Sequence, residues 1–427
     1  MLVARRLRDV AGVVARAERA AREERLHCVG VLAYESAPAF EPAAAVHASA
    51  NDAADGADAA AADGLPLAWF ALFDAANVSS APAPPAARRG GGGGGGGSGG
   101  SGRFRVGPWV PDTSRAAYDA GIARVRAGIA DGDFYQVNYT LRLRARFEGC
   151  AHAFFARLLA AQRCGFGAFV DLGACEGAED SGSGGGGSSG GGVGGGGGRR
   201  FRVLSASPEL FFHWRRDGGG AGGAGTLASR PMKGTRRRGL SSAADRAARA
   251  GLAASAKDRA ENLMIGDLIR NDLARVAARV AFAGAGVGAG AGVGGAGAGE
   301  GSVRVRDMFK IEAFPTVLQM TSTVVCAPRA GTALLDVLRA LFPCGSITGA
   351  PKVAAMRAIA GLEAGPRAVY CSTAAGPAAR MATSPHPCPF ARCSSRASAV
   401  AVAVAGAGGM VRRTRRPATR FTAWAAA

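Results

Sequence analysis

Ser207-Pro208-Glu209, then Pro231-Met232-Lys233-Gly234-Thr235, then Lys257-Asp258-Arg259-Ala260-Glu261-Asn262-Leu263-Met264-Ile265-Gly266-Asp267-Leu268-Ile269-Arg270-Asn271-Asp272-Leu273 are the segments that decide how this chain folds. Glu209, Lys233 and Glu261 each stand in apolar or glycine-bearing surroundings. Together they offer a proton donor, a nucleophile and a hard-cation ligand. Farther along, Phe342-Pro343-Cys344-Gly345-Ser346-Ile347-Thr348-Gly349-Ala350-Pro351-Lys352 reads as a turn-rich loop running into a helix.

Around these segments the periodicities are plain. Tyr135 to Phe147 alternates apolar and polar residues, as a half-buried strand does. Phe201 to Ser207 and Phe211 to Trp214 read as strands flanking Ser-Pro-Glu. Arg115 to Ala130 has helical spacing (Tyr118, Ile122, Val125, Ile129) and ends at Asp131-Gly132. Ala256 to Arg275 is a second helix, with Leu263, Ile265, Leu268, Ile269 and Leu273 on its apolar side. Strands and helices in irregular order indicate an α+β fold rather than a doubly wound sheet.

Four low-complexity runs interrupt the chain, at 89–102, 181–198, 218–225 and 283–301. Gly, Ala and Ser runs bury too little apolar surface to offset ordering entropy, so mobile surface loops are expected there. None opens a strand–turn–helix unit with a P-loop lysine, which argues against a phosphate cradle. The resulting division is an N-terminal segment 1–88, a glycine-rich linker 89–102, a main domain 103–376 and a basic tail 377–427.

The formal net charge is +20, but it is unevenly placed. From Ala364 to Ala427 there are nine arginines and no Asp or Glu. Those arginines lack interleaved aromatics and any recognition motif, so no nucleic-acid partner is expected. The nine cysteines form no CxxC pair, as suits free thiols in a reducing compartment. No apolar run approaches the roughly 20 residues of a membrane span. The opening Met1 to Val10 reads as an amphipathic helix, not a signal peptide. A cytoplasmic protein without membrane contact is expected.

Each chemical candidate has a plain alternative. Lys233, beside Arg236, Arg237 and Arg238, is either a solvated loop lysine or an amine made nucleophilic by positive neighbours and partial burial. Glu209, before Leu210-Phe211-Phe212, is either an exposed turn residue or a carboxyl kept protonated by apolar surroundings. Glu261 is either the partner of Lys257 one turn earlier or a magnesium ligand.

Taken together, these segments resemble the chorismate-utilising enzymes, from about Trp109 to Gly376 with a weaker echo before it, and within that family the aminodeoxychorismate synthase branch. The resemblance implies two large antiparallel sheets packed as a sandwich with outer helices. It implies Lys233 as the nucleophile that attacks the chorismate ring, at a position where anthranilate synthases carry alanine. It further implies Glu209 as the acid for the departing hydroxyl and Glu261 as a ligand of Mg2+. Gln136 stands where isochorismate and salicylate synthases carry a water-activating lysine, and a neutral amide is no base. Gly345, Ser346, Thr348, Gly349 and Lys352 fall in the substrate-carboxylate loop, and Thr235 beside Lys233 joins the substrate-binding set. Gln319 stands where anthranilate synthases carry histidine. The implied activity is amination of chorismate to 4-amino-4-deoxychorismate for p-aminobenzoate and folate synthesis, with ammonia from a glutamine amidotransferase subunit. Anthranilate synthase component I and a catalytically inactive homologue are the alternatives.

Beyond Gly376 the resemblance fails. Gly408-Gly409-Met410-Val411 is a faint echo, and the family's second metal-binding glutamate would fall near Ala423, with no secure counterpart for its substrate-gripping arginine. An acid-free stretch of this kind reads as out-of-frame or degenerate coding sequence, with an authentic, divergent tail as the alternative. The expected consequences are an incomplete C-terminal part, an unpaired sheet edge and little synthase activity.

Overall fold

The computed structural model describes residues 1–47, 65–78, 103–162, 165–175, 199–216, 225–278, 303–370, 373–377, 399–404, 408–413 and 419–426, the last four segments through their backbone. The glycine-rich linker and the three glycine-rich inserts lie outside these residues, save Gly225. The chain opens with β1 (Leu2–Ala4), α1 (Leu7–Arg22), β2 (His27–Leu32), a 3₁₀ turn at Tyr34–Ala39 and β3 (Ala68–Phe73). Then come β4 (Phe104–Val106), β5 (Val110–Pro111), α2 (Arg115–Ala130), β6 (Gln136–Val137), β7 (Thr140–Gly149), α3 (Ala151–Gln162) and β8 (Phe166–Cys175). The centre holds β9 (Arg199–Ser207), β10 (Leu210–Arg215), β11 (Thr226–Arg230), β12 (Met232–Arg237), α4 (Ser242–Ala253) and α5 (Ala256–Ala274). After these are β13 (Arg304–Ala313), β14 (Val317–Cys326), α6 (Leu334–Leu341), α7 (Gly345–Thr348), β15 (Gly349–Ala350) and α8 (Lys352–Leu362). The last strands are β16 (Thr373–Pro377), β17 (Ala399–Val404), β18 (Gly408–Arg413) and β19 (Thr419–Ala426).

Two large antiparallel sheets dominate, as an α+β sandwich requires. The ten-stranded sheet runs β1-β3-β2-β16-β17-β10-β11-β14-β12, with β13 also on β14. The seven-stranded sheet runs β4-β7-β19-β18-β9-β8, with β5 on β7. Val170, Leu172, Phe201 and Val203 of the second share one core with Phe212, Trp214, Leu227 and Val324 of the first. Helix α1 buries Val10, Val14 and Ala17, spaced one helical turn apart, against the same core. Strands β1 to β3 are therefore part of the main sheet, and the N-terminal segment is a layer of it.

Three sequence expectations change. The strand expected from Tyr135 to Phe147 is two, β6 and β7, because the backbone between them turns to another partner. Asn138 N–H bonds Thr348 O at 2.9 Å, and β6 pairs with β15. Leu263 is 52% exposed, because it lies off the buried stripe of α5 formed by Asn262, Ile265, Gly266, Ile269 and Leu273. The open sheet edge expected at the C-terminal stretch is filled instead. Strands β16 and β17 bridge β2 and β10, while β18 and β19 bridge β9 and β7. Ladder bonds use backbone groups that every non-proline residue carries, so loss of acids does not prevent pairing. Among the described residues no helix is long and apolar enough to cross a membrane, and Cys28, Cys150, Cys326 and Cys344 are free thiols.

Candidate active site

Lys233 owes its position to a fault in a ladder. Strand β12 pairs with β14 through Met232↔Thr321 and Thr235↔Gln319, which sets two residues, Lys233 and Gly234, against the single Met320. The extra residue makes a β-bulge at Lys233-Gly234, and a bulge re-aims the side chain it carries. Gly234 has φ +95°, a left-handed conformation that disfavours a Cβ. A Cβ there would lie 3.0 Å from Asp258 Cβ and 3.3 Å from Met320 Cβ. Buried Asn262 of α5 holds the same spot from below. Its Nδ2 donates to Lys233 O at 3.3 Å and Met320 O at 3.2 Å, and its Oδ1 accepts from Ser322 Oγ at 2.5 Å.

Glu209 occupies the turn between β9 and β10, where its N–H donates to Ser207 Oγ at 3.2 Å. Its carboxyl accepts from Ser346 Oγ at 2.5 Å and from the Met232 backbone N–H. Burial pushes the Glu209 carboxyl above the usual carboxylate range. The Ser346 hydroxyl, the Lys233 charge, the Met232 amide and the Arg230 charge each oppose that rise without cancelling it. A half-buried acid whose hold on its proton is strengthened by burial, beside a lysine and donors suited to its conjugate base, is equipped for proton donation.

The 345–350 loop closes the site. Ser346 and Thr348 are buried, and Thr348 Oγ1 donates to Cys344 O at 3.0 Å. Cys344 Sγ lies 3.2 Å from Ser346 Oγ. Burial, reinforced by the Glu209 charge, pushes the Cys344 thiol up to about 12, so it is no nucleophile. Gly349, at φ +145°, lets β15 meet β6, since a Cβ there would lie 2.1 Å from Gln136 O. Gln136 Nε2 donates to Asn138 Oδ1 at 3.2 Å, and Asn138 Nδ2 donates to Ser346 O at 3.0 Å. Thus Glu209, Lys233, Ser346, Thr348, Gly349, Gly345 and Gln136 come together. Thr235 is exposed on β12, in register with Gln319.

Two other expected site residues have protein partners. Lys352 Nζ is 2.8 Å from Asp272 Oδ2 and 3.0 Å from Leu341 O. Glu261, 42% exposed, faces Lys257 at 3.7 Å, the i,i+4 pair. Among the described residues no group of three His, Cys, Asp or Glu could hold a metal. To hold a magnesium ion, Glu261 would need further oxygen ligands from water, substrate or other parts of the chain. The side chain of Ala423 lies outside the described residues.

Sequence reasoning missed Asn138, Asn262, Asp272 and Arg367 as members of this framework. Asn262 carried a signal: a polar residue four and seven positions before Gly266 and Ile269 falls on the buried stripe. Arg367, set in Pro366-Arg367-Ala368-Val369-Tyr370, was an arginine inside an apolar run.

A family model described as chorismate binding enzyme matches residues 4–283 and 296–375, so the likeness begins well before Trp109. Aminodeoxychorismate synthase component 1 of Klebsiella aerogenes is 37% identical over 265 residues, 62% of this chain and 47% of that one. Anthranilate synthase component 1 of Aquifex aeolicus is 28% identical over 265 residues, 62% and 42% of the two chains. The matched region thus spans about half the length of these curated relatives or less. The menaquinone-specific isochorismate synthase of Escherichia coli has the same fold, with a TM-score of 0.55 at 13% identity, covering 100% of this chain and 78% of that one.

Proposed function

The chain belongs to the chorismate binding enzyme family, and we propose that its reaction is the amination of chorismate to 4-amino-4-deoxychorismate. The observation that carries this reading is the bulge that puts Lys233 where its charge acts on the Glu209 carboxyl. In its neutral form the Lys233 amine attacks the substrate ring and forms a C–N bond. The 4-hydroxyl leaves as water after taking the Glu209 proton. The new carboxylate is met by the Ser346 hydroxyl, the Met232 amide and the Arg230 and Lys233 charges. Ammonia then forms its own bond to the ring at the carbon the hydroxyl left, and Lys233 departs as the amine. Gln136 has no basic nitrogen, which disfavours addition of water in place of ammonia.

Ammonia is proposed to come from a glutamine amidotransferase subunit, in keeping with relatives named as component 1. The product would feed p-aminobenzoate and folate synthesis. The sequence favours a second reading, an inactive homologue, because no Asp or Glu follows Glu363.

Incubation with chorismate, ammonium and magnesium, the ion proposed to hold the substrate carboxylate, read by intact mass and by product chromatography, separates the two. Formation of 4-amino-4-deoxychorismate and of an adduct that Lys233→Ala abolishes supports the synthase. Direct formation of anthranilate would overturn that assignment. Absence of any adduct in the folded protein favours the inactive homologue.

A further inference from the structure

Arg367 is 2% exposed, and its guanidinium forks onto Glu363, with Nε–Oε2 at 2.9 Å and Nη2–Oε1 at 2.6 Å. A guanidinium has five donors, and two more are spent on the loop that carries Ser346 and on the β6–β7 turn. Nη1 donates to Ile347 O at 3.1 Å, and Nη2 donates to Asn138 O at 2.6 Å. The Arg367 backbone is fixed as well. Its N–H donates to Glu35 Oε1 at 2.6 Å, and Ala368 N–H donates to Glu35 Oε2 at 3.0 Å. Ala368 at φ +54° aims these two consecutive amides at one carboxylate, an anion-binding nest.

From Asn138 the connection continues. Its side chain donates to Ser346 O, its N–H donates to Thr348 O, and Ser346 Oγ donates to Glu209 Oε1 at 2.5 Å. We propose that Arg367 is a positioning residue for Glu209. By fixing the Asn138 and Ile347 carbonyls on either side of Ser346, it holds the Ser346 hydroxyl on the Glu209 carboxyl. The effect on turnover rests on Glu209 being the proton donor; the positioning itself does not.

The other groups acting on Glu209 reach it from elsewhere: Arg230 ends β11, and Lys233 and Met232 belong to β12. Ser346, which donates to the Glu209 carboxyl, is linked to Arg367 through the Asn138 and Ile347 hydrogen bonds. An arginine that merely glued the N-terminal layer to the main sheet would leave Glu209 untouched when altered conservatively.

The test is titration of Glu209 in the full chain carrying carboxyl-13C glutamate, with the signal assigned by Glu209→Gln. Ser346→Ala is expected to raise the Glu209 midpoint, because the hydroxyl donates to the ionised form. Arg367→Lys is expected to raise it in the same direction. The double variant is expected to move it no farther than Ser346→Ala alone. A folded Arg367→Lys protein with an unmoved midpoint, or additive shifts in the double variant, would overturn the proposal. If Arg367→Lys does not fold, Asn138→Ala decides, since it spares the Arg367–Glu363 pair. The same non-additivity supports the relay, and an unmoved midpoint rejects it. No turnover is needed, so failure of the proposed synthase activity and failure of this proposal are read separately. Where turnover is present, the alkaline limb of kcat is expected to move to higher pH with little change in KM.

Discussion

The Lys352 ammonium sits 2.8 Å from Asp272 Oδ2, with the two side chains only 13% and 8% exposed. The lysine that ends the 342–352 string thus ties the start of α8 to the last turn of α5. Breaking such a pair from one side strands a buried charge. Lys352→Met is expected to cost about 3–5 kcal/mol of folding stability. Lys352→Met with Asp272→Leu is expected to recover much of the loss. Urea denaturation measures both, and a single variant as stable as the parent would mean the pair is solvated.

Gly234→Ala forces a Cβ into a left-handed conformation at about 1–2 kcal/mol, with Asp258 and Met320 close by. The expected stability loss is of that order. The loss of covalent adduct should be far larger, because the bulge that aims Lys233 flattens or slips. Denaturant midpoint and intact mass on the same sample provide the comparison. Parallel, proportionate losses would mean that the bulge serves stability alone.

Glu35 is buried at 1% exposure, and burial pushes its carboxyl from 4.5 up to about 7, against the backbone amides of Glu35, Arg367 and Ala368 and the Arg367 charge. The folded value lies above the unfolded one. Its stability contribution is therefore fully present below about pH 4.5 and lost as pH rises through about 7. Across that window the protein is expected to lose up to about 3 kcal/mol through this group. Glu35→Gln should remove that component of the slope. Denaturation of the two proteins across the window tests it, and identical slopes would show that Glu35 titrates normally.

Magnesium titrated calorimetrically into the chain is expected to give no saturable heat, since Glu261 faces Lys257 and no acid follows Glu363 in the sequence. A saturating isotherm lost in Glu261→Gln would reveal oxygen ligands that Glu261 recruits from elsewhere.

Local patterns were legible in the sequence, and distant partners were not. The bounds of α2 match the spacing of Tyr118, Ile122 and Val125, and the Ser114 cap marks its start. Lys233 and Glu209 stood out as candidates because each breaks an apolar or glycine-bearing context. The split at Asn138 was not, because alternation continues through it while its hydrogen-bond partners lie in the 346–348 turn. Arg367 escaped for the same reason: Asn138, to whose carbonyl it donates, is 229 residues away in the chain. The bulge at Gly234 is likewise a property of two strands in register, β12 and β14, and no single strand announces it.

The interleaving of β16 to β19 sets the timing of folding. Strand β2 ends at Leu32 yet waits for Thr373 to Ala375, and Thr140 to Phe147 of β7 waits for Thr419 to Ala426. At about 5–20 residues per second of synthesis, the first of these gaps lasts some tens of seconds. Throughout, the nascent N-terminal strands hold backbone amides and carbonyls with no native neighbour. High contact order slows the final closure as well. Assembly of both sheets thus waits for the last four strands. Yield in the cell is then governed by how well the emerging half is shielded from self-association while it waits.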